Sequence, residues 1–326
     1  MAPRRGSGGD PEFARDRNGK RTAANGRRPA VSAIDSCPRP ELRPYSHGAR
    51  TAGAAVLPRE VVRQTIRQKG PGDDMSGDIL RAFEDRFDPA RVPADAFYDD
   101  SDIILFAHIP KTAGMSVGKA LQEAFDVVHS VGWENVHQSF RSKSRQALYA
   151  RSNRKCRQVL IGHFGWGEIQ VWRNQELPIK SATVIRDPLA RFLSNYNYNC
   201  SPKHPDNESF NARFPTIEDY ARDLQIDYQT HLLIGLFYDF DHALELLTKY
   251  YSFIGTTEHL GASLEHFRIS HGLKGPLHEH HENAGTIPAP AAADVPPHVR
   301  EMVEEKSRND MRLHALVSGF YGGPSA

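Results

Sequence analysis

Residues 108–117, His-Ile-Pro-Lys-Thr-Ala-Gly-Met-Ser-Val, place one amine and two hydroxyls between a short apolar run and the start of a helical pattern. Unpaired backbone N–H groups at a helix N-terminus attract anions, and the helix dipole adds to that attraction. Lys111 brings a mobile point charge, and Thr112 and Ser116 bring hydroxyl donors. The stretch Lys111, Thr112, Ala113, Gly114, Met115, Ser116 and Val117 therefore reads as a phosphate cradle. It is not a Walker A loop, in which Lys follows the second Gly of G-x-x-x-x-G-K-[ST]; here Lys111 precedes Gly114 by three residues. Arg186 closes a second apolar run, with Arg191, Ser194 and Tyr196 following it. A guanidinium suits phosphate because its fork offers paired donors that stay charged. His163 closes a third apolar run, and an imidazole with a pKa near ~6.5 can accept a proton at neutral pH. Glu168, five residues on, is a reserve base.

These side chains need a scaffold that brings them to one edge. Ile103 to Ala107, Val159 to Gly162 and Ala182 to Ile185 are short, β-branched runs that read as buried strands. Pro188 suits the first turn of a helix with Asp187 as its N-cap. In that helix Leu189, Leu193 and Tyr196 share a face expected to pack on the sheet. Strand alternating with helix predicts a three-layer α/β sandwich with a mainly parallel sheet and right-handed crossovers. In such a sheet the carboxyl ends of the strands face the ligand crevice, so Lys111, His163 and Arg186 are expected to share it. Helices are expected near 78–88, 114–125, 187–199, 216–224, 240–250, 258–270 and 297–320, the last interrupted. Strands are expected near 102–107, 157–162, 180–185 and 251–255. Residues 134–155 and 199–230 read as long insertions at the crevice mouth, where substrate contacts concentrate.

The segment His108 to Ser116 resembles the 5′-phosphosulfate loop of carbohydrate sulfotransferases. These P-loop-like enzymes take a sulfuryl group from 3′-phosphoadenosine 5′-phosphosulfate (PAPS). The likeness is to the group holding the heparan 2-O- and chondroitin-type Golgi enzymes and their bacterial relatives. Met115 departs from it, since that group usually has Thr there. Arg186-Asp187-Pro188 with Arg191, Ser194 and Tyr196 is similar to the family pattern that holds the donor's 3′-phosphate, which implies that role for Arg186 and Ser194. Gly162-His163 matches the position of the general base in the related 2-O-sulfotransferases, which implies His163 as base and Lys111 as the cation that steadies the departing phosphate. Gln229-Thr230-His231-Leu232 resembles a Gln-Thr-Arg-[Phe/Tyr]-Leu element, with His231 in place of Arg. Phe253 to Leu264 and Asn309 to His314 resemble later family segments, with His314 where Tyr is usual. The resemblance spans about residues 100–321 and implies PAPS as co-substrate, no metal, and a carbohydrate or glycosylated small-molecule acceptor.

Other features bound the reading. Residues 1–74 hold 15 Lys+Arg against 8 Asp+Glu, without apolar periodicity. They are expected to be a disordered basic arm, or the product of a misplaced start, ahead of a domain at 75–326. Arg alternating with Asp and Glu there argues against a nucleic-acid arm. No apolar run reaches a membrane span of ~18–20 residues and no signal peptide is evident. That departs from the anchored Golgi relatives and leads to the expectation of a soluble, cytoplasmic enzyme. Cys37, Cys156 and Cys200 show no disulfide or zinc spacing. His278, His280 and His281 with Glu279 and Glu282 miss the His-Glu-x-x-His pattern and read as a polar loop, and Asn283 in that loop is a candidate donor contact by family resemblance. Phe164, Trp166 and Trp172 fit a sugar groove or a core equally well. His108 is read as a strand cap with no catalytic role. Two rival classes are a nucleotide-dependent small-molecule kinase, which needs a metal carboxylate and a Walker Lys, and a non-catalytic glycan-binding module on the same fold.

Overall fold

The computed structural model describes residues 76–99, 103–132, 135–153, 156–174, 179–280 and 295–322. The arm at 1–74, Cys37, His281, Glu282 and Asn283 lie outside these residues. The described elements are α1 (Gly77–Phe87), β1 (Ile103–Ala107), α2 (Gly114–Ala124), β2 (Val127–Val131), α3 (Val136–Asn153), β3 (Gln158–Gly162), α4 (Trp166–Arg173), β4 (Ile179–Ile185) and α5 (Pro188–Cys200), in that order. There follow α6 (Asn207–Arg213), α7 (Ile217–Asp223), α8 (Tyr228–Ile234), α9 (Phe240–Tyr250), β5 (Phe253–Thr256), α10 (Leu260–Ser270), α11 (Pro297–Lys306) and α12 (Arg308–Tyr321).

The five strands form one parallel sheet in the order β2-β3-β1-β4-β5. The strand before the phosphate loop is therefore central. Strand alternation builds the layers, because successive side chains point to opposite faces. Ile103, Leu105 and Ala107, with Leu160, Ile185 and Ile254, pack against α1, α3, α4, α8, α9 and α12. Ile104 and Phe106, with Val159, Ile161, Ala182, Val184 and Phe253, pack against α2 and α10. A strand buried on both faces reads as a continuous apolar run, which is why these strands are visible in the sequence.

Three expectations need correction. The stretch 134–155 is not an open insertion: it holds α3, and the strand β2 precedes it unannounced. Val-Val-His-Ser-Val is short, and its His129 is buried only because Nε2 pairs with the Gln158 side chain at 3.0 Å. The stretch 199–230 holds α6 and the start of α8 besides α7, which was expected at 216–224. Finally, Leu189 and Leu193 do not pack on the sheet. They join Phe192, Ala221, Leu224, Val295, Val299 and Val303 in a separate cluster between α5, α7 and α11. Tyr196 meets Phe210 and Tyr220 beside it.

Candidate active site

The parallel register sets the site. Ala107 lies opposite Gly162 on one side and Thr183 on the other, so the chain leaves β1 between the ends of β3 and β4. The His108 N–H donates to the Gly162 carbonyl at 2.9 Å, and the Thr183 hydroxyl donates to the Ala107 carbonyl at 2.8 Å. Both bonds tie the loop's root to its neighbours.

The loop closes on itself. The Thr112 N–H and hydroxyl both reach the Ile109 carbonyl, at 3.3 and 2.9 Å. Lys111 and Ala113 have positive φ, 73° and 58°. Non-glycine residues in that region cost about 1–2 kcal/mol each, and such strain concentrates at functional sites. Alternating left- and right-handed residues turn successive N–H groups toward one concavity, an anion-binding nest. Gly114 opens α2, and a Cβ on it would lie 1.8 Å from Cε1 and 1.9 Å from Nε2 of His108. Only glycine lets the imidazole lie under the loop.

That places His108 in the site rather than at a strand cap. Its ring centroid is 4.5 Å from that of His163, and its Nε2 is buried without a hydrogen-bond partner among the described residues. Burial, then the neighbouring His163 and Lys111, push its pKa down to about 3. His163 also keeps an unpartnered buried Nδ1. Burial lowers its pKa from 6.5, and the His108 carbonyl opposes part of that shift. Both rings are therefore neutral at pH 7. Gly162 serves a purpose other than turning the chain: a Cβ there would meet the Val131 carbonyl oxygen at 2.4 Å, so the glycine allows β2 to approach β3.

Arg186 reaches the loop from β4. Its Nη1 donates to the Lys111 carbonyl at 3.1 Å. Its own backbone is held by Gln229, which accepts from the Arg186 N–H at 3.0 Å and donates to its carbonyl at 2.8 Å. Gln229 is in turn fixed because α8 starts on the buried Asp310 carboxylate, which accepts from the N–H groups of Gln229 and Thr230 and from the Thr230 hydroxyl. Burial lowers the Arg186 pKa, opposed by Glu258 and Asp187. Burial and then Arg186 lower that of Lys111. Two half-buried cations thus share one edge, an arrangement that an anion would relieve.

The flanking helix is capped as expected: Asp187 Oδ1 accepts from the Ala190 N–H at 2.8 Å. Glu258 accepts the Asp187 N–H at 3.1 Å and pairs with His314 Nε2 at 2.9 Å. Burial alone would raise the Glu258 carboxyl, but the bonds from His314 and Asp187 hold it down to about 2. Arg191 is not on a solvated face. It is 4% exposed, with its guanidinium carbon 4.4 Å above the Tyr228 ring. Ser194 is half-buried on the same helix.

Glu168 is buried and occupied: it accepts the Gly165 N–H at 3.1 Å and pairs with His137. Phe164 and Trp172 are core, and Trp166 is partly buried against the same cluster. His278 and His280 both bond to Glu123, each at 3.0 Å. Among the described residues no His, Cys, Asp and Glu cluster can hold a metal ion, and no helix is long and apolar enough to cross a membrane. Cys156 and Cys200 are free thiols. Sequence reasoning missed the His108–His163 pair, the left-handed residues at 111 and 113, and Tyr198, whose ring lies under the Lys111 ammonium at 4.1 Å. The two ring contacts depend on segments brought together by the fold, and the left-handed residues carry no glycine to mark them.

Residues 94–313 match the model of a family described as the sulfotransferase family. No curated protein matches the sequence. Among solved structures, mouse sulfotransferase SULT7A1 complexed with PAP aligns with 74% of this chain and 93% of its own at 13% identity, with a TM-score of 0.42.

Proposed function

The chain belongs to the sulfotransferase family, and from that premise we propose that it moves a sulfuryl group from PAPS to a hydroxyl of a carbohydrate or glycosylated small-molecule acceptor. The observation that carries this reading is the bond from Arg186 Nη1 to the Lys111 carbonyl. It joins the two sequence motifs whose counterparts in the family bind the two ends of the donor.

In this proposal the loop from Lys111 to Val117 wraps the 5′-phosphate, and Arg186 and Ser194 hold the 3′-phosphate. The acceptor oxygen attacks sulfur in line with the bond from sulfur to the 5′-phosphate oxygen. That bond breaks, the acceptor's proton passes to His163, and the nucleotide leaves with the charge. His163 suits the role because burial keeps it neutral at pH 7. The Lys111 ammonium, partly stripped of water, stabilises the charge growing on the departing oxygen more strongly than it would in bulk solvent. Glu168 is already engaged by Gly165 and His137, which leaves it a structural part.

Incubation with ³⁵S-labelled PAPS and fractionated extracts should transfer label to a glycan-bearing fraction. His163→Ala should lower turnover by ~10²–10⁴ with nucleotide affinity nearly intact, and Glu168→Gln should cost less. Loss of turnover in Glu168→Gln while His163→Ala stays active would reverse the two roles. Transfer of phosphate from ATP in place of sulfate would overturn the reading.

A further inference from the structure

Lys111 is held at both ends. Its carbonyl accepts from Arg186 Nη1 at 3.1 Å, and its ammonium lies 4.1 Å from the centroid of the Tyr198 ring. Tyr198 sits in the last three residues of α5, 87 positions away in sequence, yet it is the aromatic face this side chain meets. The ring is itself braced from the side: His204 packs edge-on against it with centroids 5.4 Å apart, and the turn below is closed by the Ser201 hydroxyl on the Tyr198 carbonyl at 2.7 Å. Tyr198 is 41% exposed, so the ring is not a core residue that happens to touch a lysine. An ammonium over an aromatic face is held electrostatically by the ring quadrupole, more strongly as it loses water.

We propose that Tyr198 is a positioning residue for Lys111: its ring holds the ammonium at a rest, and an anion entering the loop draws the ammonium off it. The rest has two consequences. It keeps a flexible four-carbon side chain from sampling solvent, which lowers its reactivity toward reagents in bulk water. It also competes with that anion, because the ammonium cannot serve both partners fully. The rest stands on contacts within the chain; only the identity of the displacing anion rests on the proposed donor.

The first test is chemical labelling with trinitrobenzenesulfonate, read residue by residue by mass spectrometry. Without nucleotide, Tyr198→Leu should raise the labelling rate of Lys111 several-fold relative to that of Lys119 in the same molecule. Tyr198→Phe, which keeps the ring face, should label like the unsubstituted protein. A merely structural tyrosine would not separate Phe from Leu at one lysine. The second test is calorimetric titration with adenosine 3′,5′-bisphosphate, where loss of the competing rest should tighten binding about fivefold in Tyr198→Leu and not in Tyr198→Phe. The third needs no variant of Tyr198. In the unsubstituted protein the Lys111 ε-methylene proton signals, assigned by their absence in Lys111→Arg, should lie upfield of the other lysines from the ring current. They should return toward the ordinary position when adenosine 3′,5′-bisphosphate is added. Equal Lys111 labelling in Leu and Phe variants, or unshifted ε-methylene signals in the free protein, would overturn the proposal. If the nucleotide does not bind while the labelling and upfield shift hold, the donor assignment fails and the rest survives.

Discussion

Gly114→Ala puts the loop after β1 under a defined stress. The added methyl carbon would lie 1.8, 1.9 and 2.4 Å from three imidazole atoms of His108, where carbon atoms prefer about 3.5–4 Å. Relief requires a relative movement of ~1.5–2 Å. The ring has little room to supply it, since His163 lies against it at 4.5 Å between centroids and its Nε2 is buried. The loop must shift instead. Overpacking of this kind costs about 1–3 kcal/mol of stability, and a displaced loop no longer aims its N–H groups at one point. Urea unfolding should report the first loss. Calorimetry with adenosine 3′,5′-bisphosphate should report the second as a weakening of tenfold or more, which corresponds to about 1.4 kcal/mol. Because the clash is with one side chain, His108→Ala in the same chain should return part of both losses, with a coupling energy of about 1–2 kcal/mol in a double-mutant cycle. A Gly114→Ala protein of unchanged stability and affinity would refute the reasoning, and so would strictly additive effects of the two substitutions.

Two further outcomes follow from burial and composition. Burial holds His108 and His271 down to about 3 and His266 down to about 4, against 6.5 for an unperturbed imidazole. Folded pKa values lie below unfolded ones, so this stability is complete above pH 6.5 and is lost as pH falls through it. At pH 5.5 each ring costs about 1.4 kcal/mol, about 4 kcal/mol for three, while the Glu258 carboxyl, held down to about 2, adds its own loss only below about pH 4.5. Urea titrations at pH 7.5 and 5.5 should show that difference, and a fall below 1 kcal/mol would contradict it. If the boundary expected from composition holds, a chain starting at Met75 should keep its melting temperature and nucleotide affinity; loss of soluble protein would show the boundary to be misplaced.

What the sequence made legible follows from which interactions are local. The strands β1, β3 and β4 appear as apolar runs because both of their faces are covered, and the ends of those runs predict Lys111, His163 and Arg186 at one edge. The Asp187 cap is also local and was readable; a break in the last helix was expected, but not its place at Ser307 between α11 and α12. Long-range packing was not. Arg191 lies over Tyr228 and Leu193 in a cluster with α11, and helical periodicity says only that a face is apolar or polar, not what covers it. Glu168 shows the same limit: a carboxylate near a base is a reserve base in sequence and an occupied acceptor in structure. The left-handed φ at Lys111 and Ala113 was invisible because neither residue is glycine.

The central claim is that the loop and Arg186 together bind a 3′-phosphorylated nucleotide without metal. Calorimetric titration in a chelating buffer, comparing adenosine 3′,5′-bisphosphate with adenosine 5′-phosphate on the unsubstituted protein and on Arg186→Ala, tests it most directly. The bisphosphate should bind with no magnesium present. Arg186→Ala should weaken bisphosphate binding by more than ~1.5 kcal/mol, as expected for a charge-assisted bond, and leave adenosine 5′-phosphate almost unchanged. Equal losses for both nucleotides, or binding that appears only with ATP and magnesium, would contradict it.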